Sequence, residues 1–197
     1  MLNRRQFCQT VAAAGLVAAS PARASISQDI VLPAAPIEGV SIAAELYPTI
    51  MQVKNEFVPG SIIVISSQHF LYYIVSKGVA IRYGVAVGKS DLVFRGAAKI
   101  GRKVEWPSWK PTPEMIARNP KAYKKYENGV PGGPTNPLGA RAMYLFQDGR
   151  DTAIRIHGTT EPNSIGHSVS NGCLRMVNEH VIDLYNRVEL GAPVEVY

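Results

Sequence analysis

Cysteine is almost missing from this chain. Two are present among 197 residues, Cys8 and Cys173, so no framework of several disulfides can hold the fold together. Long apolar runs are missing too, and without about 20 consecutive apolar residues no transmembrane helix is expected. Charged residues make up 18% against 46% hydrophobic. That balance excludes a disordered chain and fits a globular one with a sizeable core. No cluster of lysine or arginine with interleaved aromatics marks a strand-binding groove, so nucleic acid is not an expected partner. Histidine is scarce, at four residues. His157, His167 and Cys173 are the combination that raises metal binding. Their separations of ten and six residues fit no structural zinc pattern, so no metal and no other cofactor is expected.

What is present begins with a leader. "MLNRRQF" supplies a charged start with Arg4 and Arg5, "VAAAGLVAA" a short apolar run, and "ARA" small residues for cleavage before Ser25. Residues 1–24 therefore read as a cleaved export signal, twin-arginine-like in its N-R-R-Q-F. The expected location is the periplasm. Loss of this segment lowers the formal net charge from +6 to +3, because Arg4, Arg5 and Arg23 leave and no acid does. It also removes Cys8, and Cys173 is then alone. In an oxidising compartment a leftover cysteine is a reactive thiol, half of an intermolecular bridge, or a buried inert side chain.

Residues 25–58 read as an N-terminal extension or linker, proline-rich in "VLPAAPIEG" and broken by Pro48. From Pro59 to Tyr197 the pattern is that of one β-rich domain. "SIIVISS" is a β-branched strand. "HFLYYIV" and "VAIRYGVAVG" flank the turn Ser76–Gly78 as a hairpin, and His69 begins the first of them. "GAAKIGRKVEWPS" holds one or two further strands. "TPEMIARNP" carries helix punctuation, with Thr112 as cap, Pro113 at the first helical position and a stop before Pro120. "ENGVPGGPTNPLG" is a long loop. "ARAMYLFQ" and "TAIRIHG" are strands. "NEHVIDLYNRVELG" is a helix capped by Asn178, with Val181, Leu184, Tyr185 and Val188 on one face and His180 on the polar face.

The chemistry gathers in "HGTTEPNSIGHSVSNGCLRM", His157 to Met176. A thiolate forms more readily near a basic group or a helix start. Cys173 lies shortly before the last helix, with Gly172 giving the chain freedom to approach closely and Arg175 two residues on. Backbone N–H groups there can converge on a developing oxyanion. A thiol also needs a base, usually histidine. His157, at a strand end beside Gly158, is the first candidate, and His167 lies nearer in sequence.

This stretch resembles the active-site signature of the L,D-transpeptidase catalytic domain family, the YkuD-like enzymes of bacterial cell walls. "WPSWKPTPEM", "PGGPTNPLGARAMYL" and "NEHVIDLYNRV" resemble the Gram-negative subgroup. The resemblance implies a mainly β fold with α, a β-rich sandwich-like domain with a helix beside it, over residues 59–197. It implies Cys173 as nucleophile and His157 as base, oriented by the Gly158 carbonyl. The N–H groups of Gly172 and Cys173 become oxyanion donors, with Ser170 and Asn171 as orienting neighbours. Arg175 would hold the cysteine loop or a substrate carboxylate, and Tyr144 would line the substrate pocket. The implied donor is a peptidoglycan tetrapeptide stem, which loses its terminal D-alanine. The implied acceptor is a second stem, giving a 3→3 cross-link, or an outer-membrane protein. A monomer is expected. In one place the chain departs from the family pattern: Asn171 stands where many members carry histidine. The readings that remain beside it are an L,D-carboxypeptidase, another cysteine peptidase acting on wall peptides, and a non-catalytic wall-binding module.

Overall fold

The computed structural model describes residues 29–197, and the expected export signal at 1–24 lies outside the described residues. The chain divides into two units, residues 1–31 and 32–197, and the second carries the fold described below.

Eleven strands build it among the described residues: β1 Thr49–Gln52, β2 Ile62–Ile65, β3 Phe70–Ser76, β4 Val79–Gly84, β5 Val87–Gly88, β6 Gly96–Glu105, β7 Arg141–Gln147, β8 Arg150–His157, β9 Ser168–Ser170, β10 Leu174–Arg175 and β11 Pro193–Val196. Three helices accompany them: α1 Pro113–Arg118, α2 Pro120–Tyr123 and α3 Asn178–Arg187. The expected mainly β class is what the structure shows. Nine strands form one mixed sheet in the order β1-β4-β3-β2-β11-β6-β7-β8-β10, and β5 pairs with β9. β11 runs parallel to β2, and β10 runs parallel to β8. The last strand of the long sheet meets the chain leaving β4: Ala86, two residues past β4, exchanges backbone hydrogen bonds of 2.9 Å with Arg175 of β10. The curled sheet encloses a core of Ile62, Val64, Leu71, Ile81, Met143 and Leu145, all fully shielded from solvent. Each such side chain stabilises the fold by about 1.5–3 kcal/mol relative to exposure.

The hairpin at Ser76–Gly78 forms as expected, and "GAAKIGRKVE" is one long strand. Thr112 caps α1 by accepting from the Met115 N–H at 3.2 Å. The helix stops before Pro120, and a further turn, α2, starts on that proline with Asn119 as its cap. The lead-in folds onto the domain from Leu32 onward. Ile37, Val40, Ile42 and Leu46 pack against Ala86, Ile165 and Val177, and β1 completes the edge of the sheet beside β4.

Two expectations for the last helix change. Asn178 is its first residue, not its cap. Its side chain accepts from the Ala140 N–H at 3.0 Å and donates to the Thr159 carbonyl at 3.2 Å. Tertiary partners thus take the amide that a cap would have used. His180 is fully buried, not on a polar face. The sheet covers more of α3 than an i, i+3, i+4 stripe implies, and the Tyr47 ring from the lead-in stands edge-on to the imidazole at 5.7 Å. One turn on, α3 is tied down by the buried Tyr83 hydroxyl donating to Asp183 at 2.5 Å, with Asp183 also paired to Arg187.

Burial pulls the His180 pKa down to about 4, against a weaker upward pull from Asp183, and neither ring nitrogen has a hydrogen-bond partner. The unfolded chain therefore binds a proton that the folded one refuses, and stability falls as pH drops from about 6.5 toward 4. His157 contributes the same dependence, with a pKa of about 4. His180→Phe keeps the ring contact and removes one of these titrations. The variant is expected to lose less melting temperature between pH 7 and pH 5 than the parent, as measured by calorimetry. An equal loss in both would place the acid sensitivity elsewhere.

Candidate active site

Cys173 stands in the short loop between β9 and β10. The parallel ladder sets Leu174 beside Ile156 and Arg175 beside His157, and the Met176 N–H donates to the His157 carbonyl at 2.8 Å. The same register carries Cys173 alongside Arg155. Gly172 adopts φ +118, and a Cβ there would meet the Leu92 carbonyl at 2.9 Å and Ile154 at 3.0 Å. Only glycine lets the loop turn this tightly against its neighbours.

The imidazole of His157 is buried, and its Nδ1 lies 2.6 Å from the Gly158 carbonyl oxygen. A carbonyl only accepts, so Nδ1 carries the proton and Nε2 is the basic nitrogen. Gly158 is a close approach as well: a Cβ would fall 2.2 Å from Asn178 Oδ1. The amide of Asn178 thus shapes the turn that orients His157.

A bulge in β8 completes the seat of the thiol. β7 and β8 change register between Tyr144 and Phe146, and Ala153 takes φ 61. Thr152 bonds the Leu145 carbonyl at 2.8 Å, and Asp151 accepts from the Ala153 N–H at 2.8 Å. The displaced Ala153 carbonyl then accepts from Cys173 Sγ at 3.8 Å. Cys173 and His157 line one cleft of about 1000 Å³, but no hydrogen bond joins the thiol to the imidazole at rest.

Burial pushes the Cys173 thiol above its ordinary pKa; the Arg155 N–H and the charges of Arg155 and Arg175 oppose it without overcoming it. Burial likewise holds His157 down at about 4, helped by the charges of Arg175 and Arg155 and opposed by the carbonyls of Gly158 and Leu138. At neutral pH the pair is a neutral thiol and a neutral imidazole, not a thiolate and an imidazolium. Nucleophilic attack then requires transfer of the thiol proton to Nε2 during reaction.

The remaining sequence candidates fall as follows. Ser170 is buried; its hydroxyl donates to the Cys173 carbonyl at 2.6 Å and accepts from the Gly172 N–H at 3.1 Å. The Gly172 N–H, expected as an oxyanion donor, is therefore already used inside the loop. The Cys173 N–H has no protein acceptor among the described residues and stays available. Arg175 pairs with Glu161 at 2.8 Å. Tyr144 lies between two guanidinium groups, Arg155 at 4.0 Å and Arg102 at 5.0 Å from its ring. Asn171 donates to the Tyr123 hydroxyl at 2.8 Å and accepts from Arg118 at 3.0 Å. His167 lines a separate cavity with His69, so the trio His157, His167 and Cys173 does not converge. Among the described residues no group of three or more His, Cys, Asp or Glu side chains is placed to hold a metal.

Sequence reasoning missed the wall formed by α1 and α2. Trp109, Arg118, Tyr123 and Tyr126 line the same cleft as the thiol, and Trp109 packs edge-on against both tyrosines. It also missed Arg155 and Asp151, paired at 2.6 Å. The helix punctuation was readable, but nothing local says which distant loop a helix will cover.

The fold and site together define a thiol–imidazole centre on a curled β-sheet. The L,D-transpeptidase catalytic domain model, YkuD, matches residues 59–196. "Probable L,D-transpeptidase YbiS" of Escherichia coli K12 is 32% identical over 75% of this chain and 49% of its own length. Among solved structures, one from Brucella melitensis, named as a "Probable carnitine operon oxidoreductase", is 52% identical. It covers 76% of this chain and 92% of that one, with TM-score 0.54. The Enterococcus faecium L,D-transpeptidase, in a cysteine-to-serine form, shares the fold at TM-score 0.50 with 18% identity, covering 72% of this chain and 50% of that one. This chain belongs to the L,D-transpeptidase catalytic domain family. It spans about half the length of the first curated relatives it matches.

The neutral resting pair has a direct consequence. Alkylation of Cys173 by iodoacetamide is expected to be slower at pH 7 than that of an unperturbed thiol. Its rate should rise with pH through a midpoint above the ordinary thiol value. Mass spectrometry of the modified peptide against time reads it. Reactivity that persists below pH 6 would instead mean a thiolate–imidazolium pair.

Proposed function

We propose that the chain is a cysteine-dependent L,D-transpeptidase acting on peptidoglycan stem peptides. The observation that supports this reading most is the β8–β10 seam, which sets a lone thiol and an oriented, neutral imidazole on one cleft. The Cys173 thiol turns from the Ala153 carbonyl toward Nε2 of His157, which takes its proton as sulfur adds to the carbonyl before the terminal D-alanine. The oxyanion faces the Cys173 N–H. His157 returns the proton to the departing amine, D-alanine leaves and a thioester remains. An amine then attacks the thioester, His157 removes its proton, and the thiol is restored. The amine belongs to a second stem, which gives a 3→3 cross-link, or to an outer-membrane protein. The leader read from residues 1–24 supports action in the periplasm. The oxidoreductase name of the Brucella protein is not transferred to this chain, since its family model and the site chemistry both favour acyl transfer.

The test uses the mature chain, parent and Cys173→Ala, with diaminopimelate-containing tetrapeptide muropeptides and product analysis by mass spectrometry. Cross-linked dimers lacking one D-alanine are expected with the parent alone. Tripeptide monomers without dimers would make the chain a carboxypeptidase. No Cys173-dependent product would overturn the reading for stem substrates.

A further inference from the structure

Three arginines reach the cleft beside the thiol, and two of them are already neutralised. Arg155 is held by Asp151 at 2.6 Å and Arg175 by Glu161 at 2.8 Å. Arg118 differs. It sits exposed at the end of α1, lines the same cleft, and its protein hydrogen bond is to a neutral acceptor, Asn171 Oδ1, at 3.0 Å. Glu114, one turn earlier on α1, feels its charge but forms no ion pair with it within 4 Å. Lys110 and Lys125 also line the cleft. Lys125 lies over the Tyr126 ring at 4.8 Å, and neither lysine bonds the cysteine loop.

The amide of Asn171 is itself fixed from the other side. Its Nδ2 donates to the Tyr123 hydroxyl at 2.8 Å, which forces Oδ1 to face Arg118. Asn171 is two residues before Cys173, and Arg118, Asn171 and Cys173 line the same cleft. A guanidinium presents five donors, and one neutral oxygen uses few of them. The remaining donors suit a planar carboxylate, which they bind in a charge-assisted, bidentate way.

We infer that Arg118 is the specificity-determining receptor for a free carboxylate on the leaving residue of the acyl donor, with Asn171 as its positioning residue. This rests on the acyl-transfer reading and deepens it. In a donor ending in a free amino acid, the carboxylate lies three bonds beyond the attacked carbonyl. A group anchored there fixes which carbonyl meets Cys173. Asn171 is an amide that stays uncharged across pH, so it never repels Arg118. A protonated imidazole at that position would.

The experiment compares two tetrapeptide donors, one ending in D-alanine and one in D-alanine carboxamide, with the parent, Arg118→Gln and Arg118→Lys. The parent is expected to prefer the acid. Arg118→Gln should cut the acid-to-amide ratio in kcat/KM about tenfold, mainly through KM for the acid, and Arg118→Lys should restore part of it. An unchanged ratio, with both donors slowed alike, would make Arg118 a structural tie between α1 and the cysteine loop and overturn the inference. A second readout stands apart from transpeptidation. Iodoacetate and iodoacetamide alkylate the same thiol and differ by one carboxylate. Loss of Arg118 should lower their rate ratio at Cys173 about threefold at low salt, since one nearby charge without an ion-pair partner is removed. If the parent forms no Cys173-dependent product, the acyl-transfer reading fails, and this ratio still decides whether Arg118 receives a carboxylate.

Discussion

A parallel ladder only two residues long, Leu174 beside Ile156 and Arg175 beside His157, joins the segment after Cys173 to the strand that ends in His157. Such a ladder contributes little by itself, since a backbone hydrogen bond nets about 1 kcal/mol. It holds because everything around it leaves β10 nowhere else to go. Ala86 bonds its far edge. The Asn178 amide ties the starts of β7 and α3 to the Thr159 carbonyl just beyond His157. Val177, immediately after β10, is buried against Ile165 and Ala86, and Ile37, Val40, Ile42 and Leu46 cover that cluster from the outside. The lead-in is therefore a brace behind the cysteine loop, and it extends the working domain upstream of the residues that the family model spans.

The features that could be read in the sequence are those set by local chemistry. Thr112 and Pro113 announce a helix start, and the β-branched runs announce strands. Ser76–Gly78 announces a turn, and Gly158 and Gly172 stand where no side chain fits. His157, at a strand end beside Gly158, is the first candidate base for Cys173 with His167 as the other, and the resemblance selects it; the parallel seam that joins His157 to the cysteine loop leaves no periodic trace. Non-local effects stayed hidden. Asn178 looks like a cap until Ala140 and Thr159 compete for its amide. His180 looks solvent-facing until Tyr47 arrives from a segment with no clean period. Ala153 gives no sign that it will adopt a left-handed conformation, because the bulge that puts it there is a mismatch between β7 and β8. The same holds for Arg118: its helix is legible, but its partner lies in a loop more than 50 residues away.

Burial and charge compete at the thiol, and burial prevails. Two guanidinium groups flank Cys173 and pull toward the thiolate. Each is paired with a carboxylate, Arg155 with Asp151 and Arg175 with Glu161, and desolvation outweighs their pull, so the thiol stays protonated. The same desolvation keeps His157 neutral. A protonated thiol is a poor target for oxidants, because oxidation proceeds through the thiolate. If the chain is exported as its leader suggests, Cys173 would be protected there until, on the proposed reading, a carbonyl is in place to accept the electrons. The cost is a proton transfer that must accompany attack, and the fold meets it by fixing the imidazole tautomer through the Gly158 carbonyl. On the proposed acyl-transfer reading, the site combines low reactivity at rest with proton transfer on engagement.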